Sequence, residues 1–189
     1  DAWADLLAGG AAGRLLAVVA LGTLAFNMQD VLLEPYGGEI LGLGVGQTTW
    51  LTAMYAMGAL AGFVVAARWL QRGLDPMRMA ARGLLTGIAA FCAVIFASPV
   101  DSTALFFAGA GGIGLGAGLF AVATLTAAMK LPASIHGAGL ALGAWGAAQA
   151  TAAGLSIFIG GALRDGIGHL VAQGRFGPVL TDPALAYSF

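Results

Sequence analysis

The feature that most constrains this chain is a series of five long apolar stretches separated by short polar connections. They extend over about residues 15–33, 48–70, 80–97, 103–129 and 138–163. A helix of about 20 apolar residues is long enough to cross the hydrocarbon core of a bilayer. Within lipid, a helix satisfies the hydrogen bonds of its own backbone, so unbroken runs of this length predict membrane-spanning helices.

The composition supports a protein embedded in a lipid bilayer and argues against the other broad classes. Hydrophobic residues make up 59% of the 189 residues and charged residues only 9%, whereas about 25% of the residues of a soluble domain are charged. A net charge of −1 provides no basic surface for nucleic acid. The apolar runs also lack the alternation that marks the strands of a membrane barrel. We therefore expect an all-α polytopic membrane protein that binds no nucleic acid.

Motifs of soluble-enzyme chemistry are missing from the sequence, which contains no P-loop, no nucleophile elbow and no His-Glu-x-x-His. Some glycines have dinucleotide-like intervals, but they lie inside an apolar stretch, whereas a dinucleotide-binding fold places them after a strand. The single cysteine, Cys92, leaves no partner for a disulfide within the chain. We expect that the protein is not an enzyme.

Basic residues in the connections predict the orientation of the spans. If the spans alternate in direction, six of the eight Lys and Arg residues fall on the side where the chain begins, which positively charged loops mark as cytoplasmic. These six are Arg14, Arg68, Arg72, Arg78, Arg82 and Lys130. We predict that residues 1–14 are cytoplasmic, that residues 15–163 form a five-helix bundle, and that residues 164–189 form a periplasmic connection and the start of a further helix. The first span should end near residue 33, because Pro35 and a pair of glycines follow.

Polar side chains in the first span lie at helical spacing. Thr23, Asn27, Asp30 and Glu34 are separated by four, three and four residues, which places them on one stripe of a helix. A carboxylate that faces lipid near the centre of a helix costs roughly 2.5–3.5 kcal/mol. The stripe is therefore expected to face the bundle interior, another protein or a water-filled cavity. Two interpretations remain open, a ligand or ion pathway and structural pairing of the two acidic residues near the outer interface.

Further polar residues in the second and fifth spans are candidates for the same site. Hydroxyl and amide groups in membrane helices often only form hydrogen bonds between helices, at about 0.6 kcal/mol each. Among them, Gln149 is the strongest candidate for lining a pocket. The complete set of candidate binding residues is Asn27, Asp30, Glu34, Gln149, Thr23, Tyr55 and Trp145.

The fourth span is rich in glycine and contains two overlapping Gly-x-x-x-Gly patterns. The residues concerned are Gly112, Gly114, Gly116 and Gly118. Small residues at this spacing allow the backbones of two helices to approach closely. We predict a helix-packing face, either within the bundle or against a partner.

Three segments of the sequence resemble one known family. They are Phe26-Asn27-Met28-Gln29-Asp30-Val31-Leu32-Leu33-Glu34-Pro35-Tyr36-Gly37-Gly38-Glu39-Ile40-Leu41-Gly42-Leu43, then residues 52–58, and residues 136–149. Together they resemble the PucC/LhaA family, also called the bacteriochlorophyll-delivery family, of the major facilitator superfamily, and the resemblance covers essentially the whole chain. It implies a major-facilitator-type bundle of twelve helices with both ends cytoplasmic, in which the five spans would be helices seven to eleven.

The resemblance also implies a function, the assembly of the light-harvesting antenna, LH1 or LH2, in the intracytoplasmic photosynthetic membrane of a purple bacterium. The implied cofactor is bacteriochlorophyll, with a carotenoid as a second candidate. The implied partners are the antenna α/β polypeptides and the complex of reaction centre and LH1. Magnesium is a hard ion that accepts oxygen ligands, so Asn27, Asp30 or Glu34 could ligate the magnesium of the pigment. Two alternatives stay open, a pigment-free scaffold that packs against the antenna and a proton-coupled transporter of a small solute.

Overall fold

The computed structural model describes residues 10–131 and 137–173, and the regular elements within these ranges are all helices. The prediction of an all-α chain is confirmed for this part. The helices are α1 (Ala11–Asn27), α2 (Gln29–Glu39), α3 (Val45–Gln71), α4 (Pro76–Ala97), α5 (Thr103–Met129) and α6 (Gly137–Ala172).

Five helical stretches in the described part of the chain are long and apolar enough to cross a membrane, as predicted. The first combines α1 and α2 over Ala11–Glu39, and the other four correspond to α3, α4, α5 and α6. The chain is therefore a multi-pass membrane protein by the length and composition of its helices. The orientation with a cytoplasmic beginning stays a prediction, as does the numbering of the spans as helices seven to eleven.

Helix α5 is the centre of the arrangement. Both α3 and α4 pack extensively against it, while these two helices contact each other very little although they are neighbours in the sequence. Helices α1 and α6 form a second pair, and each of them also contacts α5. The largest fully buried side chains include Phe106 and Phe120 of α5 and Leu51 of α3.

Glycine allows α5 to pack closely on two sides at once. Gly114 of α5 lies directly against the backbone carbonyl of Tyr55 in α3. On the α4 side, a Cβ atom at Gly116 would lie 2.7 Å from the carbonyl oxygen of Gly83, and one at Gly83 would lie 2.8 Å from the carbonyl oxygen of Gly116. Such distances leave no room for a side chain. The two faces are thus used within the bundle.

The other two predicted glycines of α5 divide between the same two neighbours. Gly118 lies against the backbone of Ala59 in α3, and a Cβ atom at Gly112 would lie 2.8 Å from the Cβ atom of Ala90 in α4. Residues 114 and 118 thus face α3, and residues 112 and 116 face α4. Each Gly-x-x-x-Gly pattern contacts one neighbouring helix.

The predicted end of the first span is wrong, because the helix continues through Pro35 to Glu39. A proline inside a helix removes one hydrogen bond of the backbone. Packing outweighs this cost here. Tyr36 is only 7% exposed, and the centroid of its ring lies 5.6 Å from that of Phe106. Gly37 fits closely against the same Phe106 ring, where a Cβ atom would lie 3.2 Å from Cε1.

The last helix is longer than the predicted fifth span, since α6 continues to Ala172. The first part of the predicted connection, residues 164–189, is therefore helical, and the remainder from residue 174 lies outside the described residues. Residues 164–172 contain no proline, and apolar residues such as Ile167 and Leu170 continue at helical spacing. Nothing in that segment stops the helix at the end of the apolar run.

Candidate functional site

Four helices surround a cavity of about 400 Å³, which we call the four-helix cavity. The helices are α1, α3, α5 and α6. The lining residues are Thr23, Phe26, Asn27, Tyr55, Ala59, Phe63, Ala117, Gly118, Phe120, Ala121, Gly146, Gln149, Ala150 and Ala153. Four of the seven predicted binding residues are among them, namely Thr23, Asn27, Tyr55 and Gln149.

Two of these polar residues lie one turn apart near the end of α1. The side-chain amide of Asn27 donates from Nδ2 to the backbone oxygen of Thr23 at 2.7 Å, which leaves the amide oxygen available as a ligand or acceptor. The Thr23 side chain is 6% exposed, and its hydroxyl oxygen has no hydrogen-bond partner among the described residues. Buried polar atoms nearly always have a partner. An orphaned hydroxyl at the cavity wall is therefore a place where a ligand could donate or accept.

Aromatic rings form the apolar part of the wall. The ring centroids of Phe26 and Phe120 lie 5.8 Å apart at an interplanar angle of 47°. Phe63 of α3 is 41% exposed, so the cavity is open on that side. These phenylalanines were not predicted from the sequence, because a phenylalanine that faces lipid and one that lines a pocket both occur within apolar runs. Only Phe26 carried a signal, since it lies three residues after Thr23 and thus on nearly the same face of α1.

Glu34 and Trp145 are not in the lining. Glu34 is exposed, and its Oε1 accepts a hydrogen bond from the Thr52 hydroxyl at 3.0 Å, which links α2 to α3. Trp145 donates from Nε1 to Oγ1 of Thr124 at 3.2 Å, a hydrogen bond between α6 and α5. Asp30 belongs to α2, and its side chain lies outside the described part of the structure.

The predicted stripe is interrupted at Met28, between α1 and α2. At Met28 the backbone keeps helical angles (φ −58°, ψ −31°), and its amide still donates to the carbonyl of Leu24 at 3.1 Å. The side chain of Asn27 donates to the carbonyl of Thr23 just before this point. Residues before the break line the cavity, whereas Glu34 after it does not. Gln29, which the spacing places off the stripe, is buried at 4% exposure.

The atoms in the cavity lining that could ligate a metal ion are amide and hydroxyl oxygens. Within the described residues, there is no group of three or more His, Cys, Asp and Glu side chains that could hold a metal ion. The cavity could therefore offer one or two neutral oxygens to a metal that a ligand brings with it. Oxygen ligands of this kind are suited to hard ions such as Mg²⁺.

A second cavity of about 370 Å³ lies between α1 and α6, and it is much less polar. Its lining is made of alanines and leucines, with Thr151 as the one polar residue. It offers no group comparable to the amides of the four-helix cavity. A ligand that combines polar groups with a large apolar body is better matched by the four-helix cavity.

Fold and cavity together define a multi-pass α-helical membrane protein with a partly polar cavity of ligand size. The family model described as PUCC protein matches residues 1–189, and the chain belongs to this family. The resemblance seen in the three sequence segments is thereby confirmed.

Three relatives show how the chain is placed within longer proteins. It is 61% identical over 189 residues to an "uncharacterized protein in puhA-bchM intergenic region" of Rhodobacter capsulatus, covering all of this chain and 39% of the relative. It is 52% identical over 171 residues to protein PucC of Rhodobacter capsulatus, covering 89% and 36%. It is 33% identical over 165 residues to a "bacteriochlorophyll synthase 44.5 kDa chain" of the same species, covering 77% and 35%. The chain thus spans less than two fifths of these relatives. No solved structure matches it.

Proposed function

We propose that this chain is part of a membrane protein that assists the assembly of the light-harvesting antenna in a phototrophic bacterium, without acting as an enzyme. We further propose that the four-helix cavity binds bacteriochlorophyll before the pigment joins the antenna α/β polypeptides. The observation that carries the proposal is the cavity itself, in which four polar side chains and three phenyl rings meet inside a membrane bundle. Membership of the PUCC family and the similarity to the relative named bacteriochlorophyll synthase 44.5 kDa chain support it.

The size of the cavity fits one part of such a pigment. Its volume of about 400 Å³ falls within the range of roughly 300–1,000 Å³ that small-molecule sites occupy. A tetrapyrrole with its long hydrocarbon tail is larger, so we infer that only part of the ring enters the cavity. The remainder would extend past Phe63, on the open side.

The chemistry of the lining also fits the pigment. When bound, bacteriochlorophyll would bring a magnesium ion, which accepts neutral oxygen ligands, and the amide oxygens of Asn27 and Gln149 are the candidates to ligate it. The orphaned hydroxyl of Thr23 is suited to hydrogen-bond a ring carbonyl. Of the magnesium ligands proposed from the sequence, Asn27 lines the cavity, and Glu34 is engaged with Thr52.

The setting of the protein is part of the proposal. We place it in the bacterial inner membrane, in its intracytoplasmic photosynthetic part, with the beginning of this chain cytoplasmic and its spans as helices seven to eleven of a major-facilitator-type fold. The partners would be the antenna polypeptides and the complex of reaction centre and LH1. A carotenoid would be a second pigment to test for in the purified protein.

The test is an absorption spectrum of the full-length protein, purified in mild detergent from a phototrophic host. The double variant Asn27→Leu with Gln149→Leu removes both amides and keeps the cavity apolar. Losing two polar contacts of about 1 kcal/mol each should lower the bound pigment roughly tenfold or more. Gln71→Leu is the matched control, because Gln71 is an exposed amide at the end of α3, outside the cavity lining.

Each alternative has its own outcome in the same experiment. Pigment that stays bound in the double variant would show that the four-helix cavity is not the site. A wild-type protein that purifies without pigment, while antenna assembly still requires it, would favour the pigment-free scaffold. Uptake of a solute into vesicles that depends on Asp30 would favour the proton-coupled transporter.

A further inference from the structure

The connection between α3 and α4 holds a third cavity, of about 300 Å³, at the opposite end of α3 from Glu34 and Thr52. It is lined by Trp69, Arg72, Gly73, Leu74 and Arg82. We call it the arginine cavity. It shares no lining residue with the four-helix cavity and plays no part in the function proposed above.

A tight turn fixes the shape of this cavity. Gly73 has a φ angle of +87°, in the left-handed region that favours glycine. The amide of Gly73 donates to the carbonyl of Leu70 at 3.0 Å, and that of Leu74 donates to the carbonyl of Trp69 at 3.2 Å. This is the pattern of a Schellman motif at the end of a helix.

The start of α4 is also fixed by a specific hydrogen bond. Asp75 caps α4, since its Oδ1 accepts a hydrogen bond from the backbone amide of Arg78 at 2.9 Å. The turn and the cap together hold Arg72, at the end of α3, and Arg82, in the second turn of α4, at the same cavity. The local fold therefore brings the two arginine residues to the same cavity, and the Trp69 ring lies beside the guanidinium of Arg82.

The charges at this end of the bundle are unbalanced. Arg72 and Arg82 have no carboxylate partner within the described residues, where the recorded ion pair joins Arg164 and Glu39 at the other end. The carboxylate of Asp75 is already engaged with the backbone of α4. The Cζ atom of Arg82 lies 5.5 Å from the centroid of the Trp69 ring, a cation–π contact that orients the guanidinium without neutralising it.

We propose that the arginine cavity binds a phosphate group, to which Arg72 and Arg82 donate hydrogen bonds while Trp69 forms one wall. A planar guanidinium can donate two parallel hydrogen bonds to phosphate oxygens. A volume of about 300 Å³ suits a headgroup better than a peptide, since it is at the small end of ligand sites, roughly 300–1,000 Å³.

The position of the cavity favours phospholipid as the source of the phosphate. It lies where two membrane-spanning helices end, and indole rings such as that of Trp69 are enriched at the membrane interface. Leu85 and Ile88, three and six residues after Arg82 in α4, are 66% and 61% exposed, so apolar side chains lie on the surface of the helix beyond the cavity. A soluble phosphate compound would use the same two arginines but would not need that surface.

The chain offers a matched control for charge. Arg68, in the last turn of α3, and Arg78, in the first turn of α4, lie on either side of the same connection but do not line the cavity. Two double variants remove the same total charge. One is Arg72→Gln with Arg82→Gln, and the other is Arg68→Gln with Arg78→Gln. If the arginines act only through their overall positive charge, as in the orientation of membrane proteins, the two double variants should behave alike.

The experiment measures phosphatidylglycerol bound to the full-length protein, by native mass spectrometry and by the rise in its thermal unfolding midpoint. Titrations in neutral detergent use phosphatidylglycerol, phosphatidylcholine or inorganic phosphate. We expect the loss of Arg72 and Arg82 to weaken binding of phosphatidylglycerol about tenfold or more, and the loss of Arg68 and Arg78 to change it by about twofold or less. If the first double variant does not fold, Arg82→Lys, which keeps the charge but loses the planar group, should weaken binding about threefold.

The two sources of phosphate give different results. A response to phosphatidylglycerol without a response to inorganic phosphate supports the site with phospholipid as its ligand, and a response to both supports the site with a soluble phosphate compound. Equal losses in the two double variants would overturn the proposal, as would an unchanged Arg82→Lys or no response to any phosphate probe. None of these outcomes depends on whether pigment occupies the four-helix cavity.

Discussion

Helices α5 and α6 are both rich in glycine, yet the structure uses their glycines in opposite ways. In α5, Gly114 and Gly116 lie against backbone atoms of α3 and α4 at distances that exclude any side chain. In α6, most glycines have open space where a Cβ atom would be, with nothing in the described structure within 4 Å. These are Gly139, Gly143, Gly146, Gly154, Gly161, Gly166 and Gly168.

The difference shows that the number of glycines in a membrane helix does not determine how closely it packs. Helix α5 lies between two helices and needs a small surface towards each of them. Helix α6 packs mainly against α1, and its polar contacts to the rest of the bundle are made by side chains, such as Trp145 to Thr124 and Arg164 to Glu39. The four-helix cavity lies where the closely packed group of α3, α4 and α5 meets the pair of α1 and α6.

The largest effect expected from this comparison is that of an added methyl group in α5. In the Gly114→Ala variant, the new Cβ atom would overlap the backbone oxygen of Tyr55, which cannot move unless α3 moves with it. Overpacking of this kind costs about 1–3 kcal/mol, and more where the backbone must shift. The measurement is the free energy of unfolding of the purified protein in detergent.

Gly143→Ala in α6 is the control for that measurement. A Cβ atom at this position meets nothing in the described structure within 4 Å, and alanine is favoured over glycine inside a helix by about 1 kcal/mol. We expect unchanged or slightly increased stability. A loss as large as that for Gly114→Ala would mean that α6 is closely packed in the full-length protein and would remove the contrast between the two helices.

Much of the fold could be predicted because hydrophobic length dominates the structure of a membrane chain. Five spans were expected and five are found within the described residues. The ends of helices were harder to predict, as Pro35 shows. Proline disfavours a helix through local effects, whereas the burial of Tyr36 against Phe106, which keeps α2 intact, is a tertiary contact. No spacing of residues along the chain reveals such a contact.

The polar residues of the candidate site could be predicted because polar side chains are rare in membrane helices. Thr23, Asn27 and Gln149 were identified because each is a polar residue in an apolar run, and the structure places them around one cavity. The position of Glu34 could not be deduced, since its hydrogen bond with Thr52 of α3 is a tertiary contact. The phenyl rings of the wall were missed because hydrophobic residues are too common to be informative.

A smaller effect is expected for the hydrogen bond that joins α6 to α5. Thr124 is fully buried, and its hydroxyl donates to the carbonyl of Phe120 at 2.9 Å while it accepts from Nε1 of Trp145 at 3.2 Å. Trp145→Phe removes this donor and should lower the free energy of unfolding by about 0.6–1 kcal/mol. Trp50→Phe is the control, because Trp50 is 61% exposed on α3. Equal effects of the two substitutions would show that the hydrogen bond contributes nothing specific.

The smallest effect is expected at the ion pair between Arg164 of α6 and Glu39 of α2. The nitrogen and oxygen atoms lie 3.3 Å apart, but the two side chains are 31% and 59% exposed. Exposed pairs of this kind contribute about 0–1 kcal/mol and weaken as salt is added. A double-mutant cycle with Arg164→Gln and Glu39→Gln should therefore give a coupling energy of about 0.5 kcal/mol that falls at high ionic strength. If the coupling exceeded about 1.5 kcal/mol, beyond the range of exposed pairs, the charge pair would hold α6 in place as firmly as glycine packing holds α5. The two helices would then differ in the means of their attachment and not in its strength.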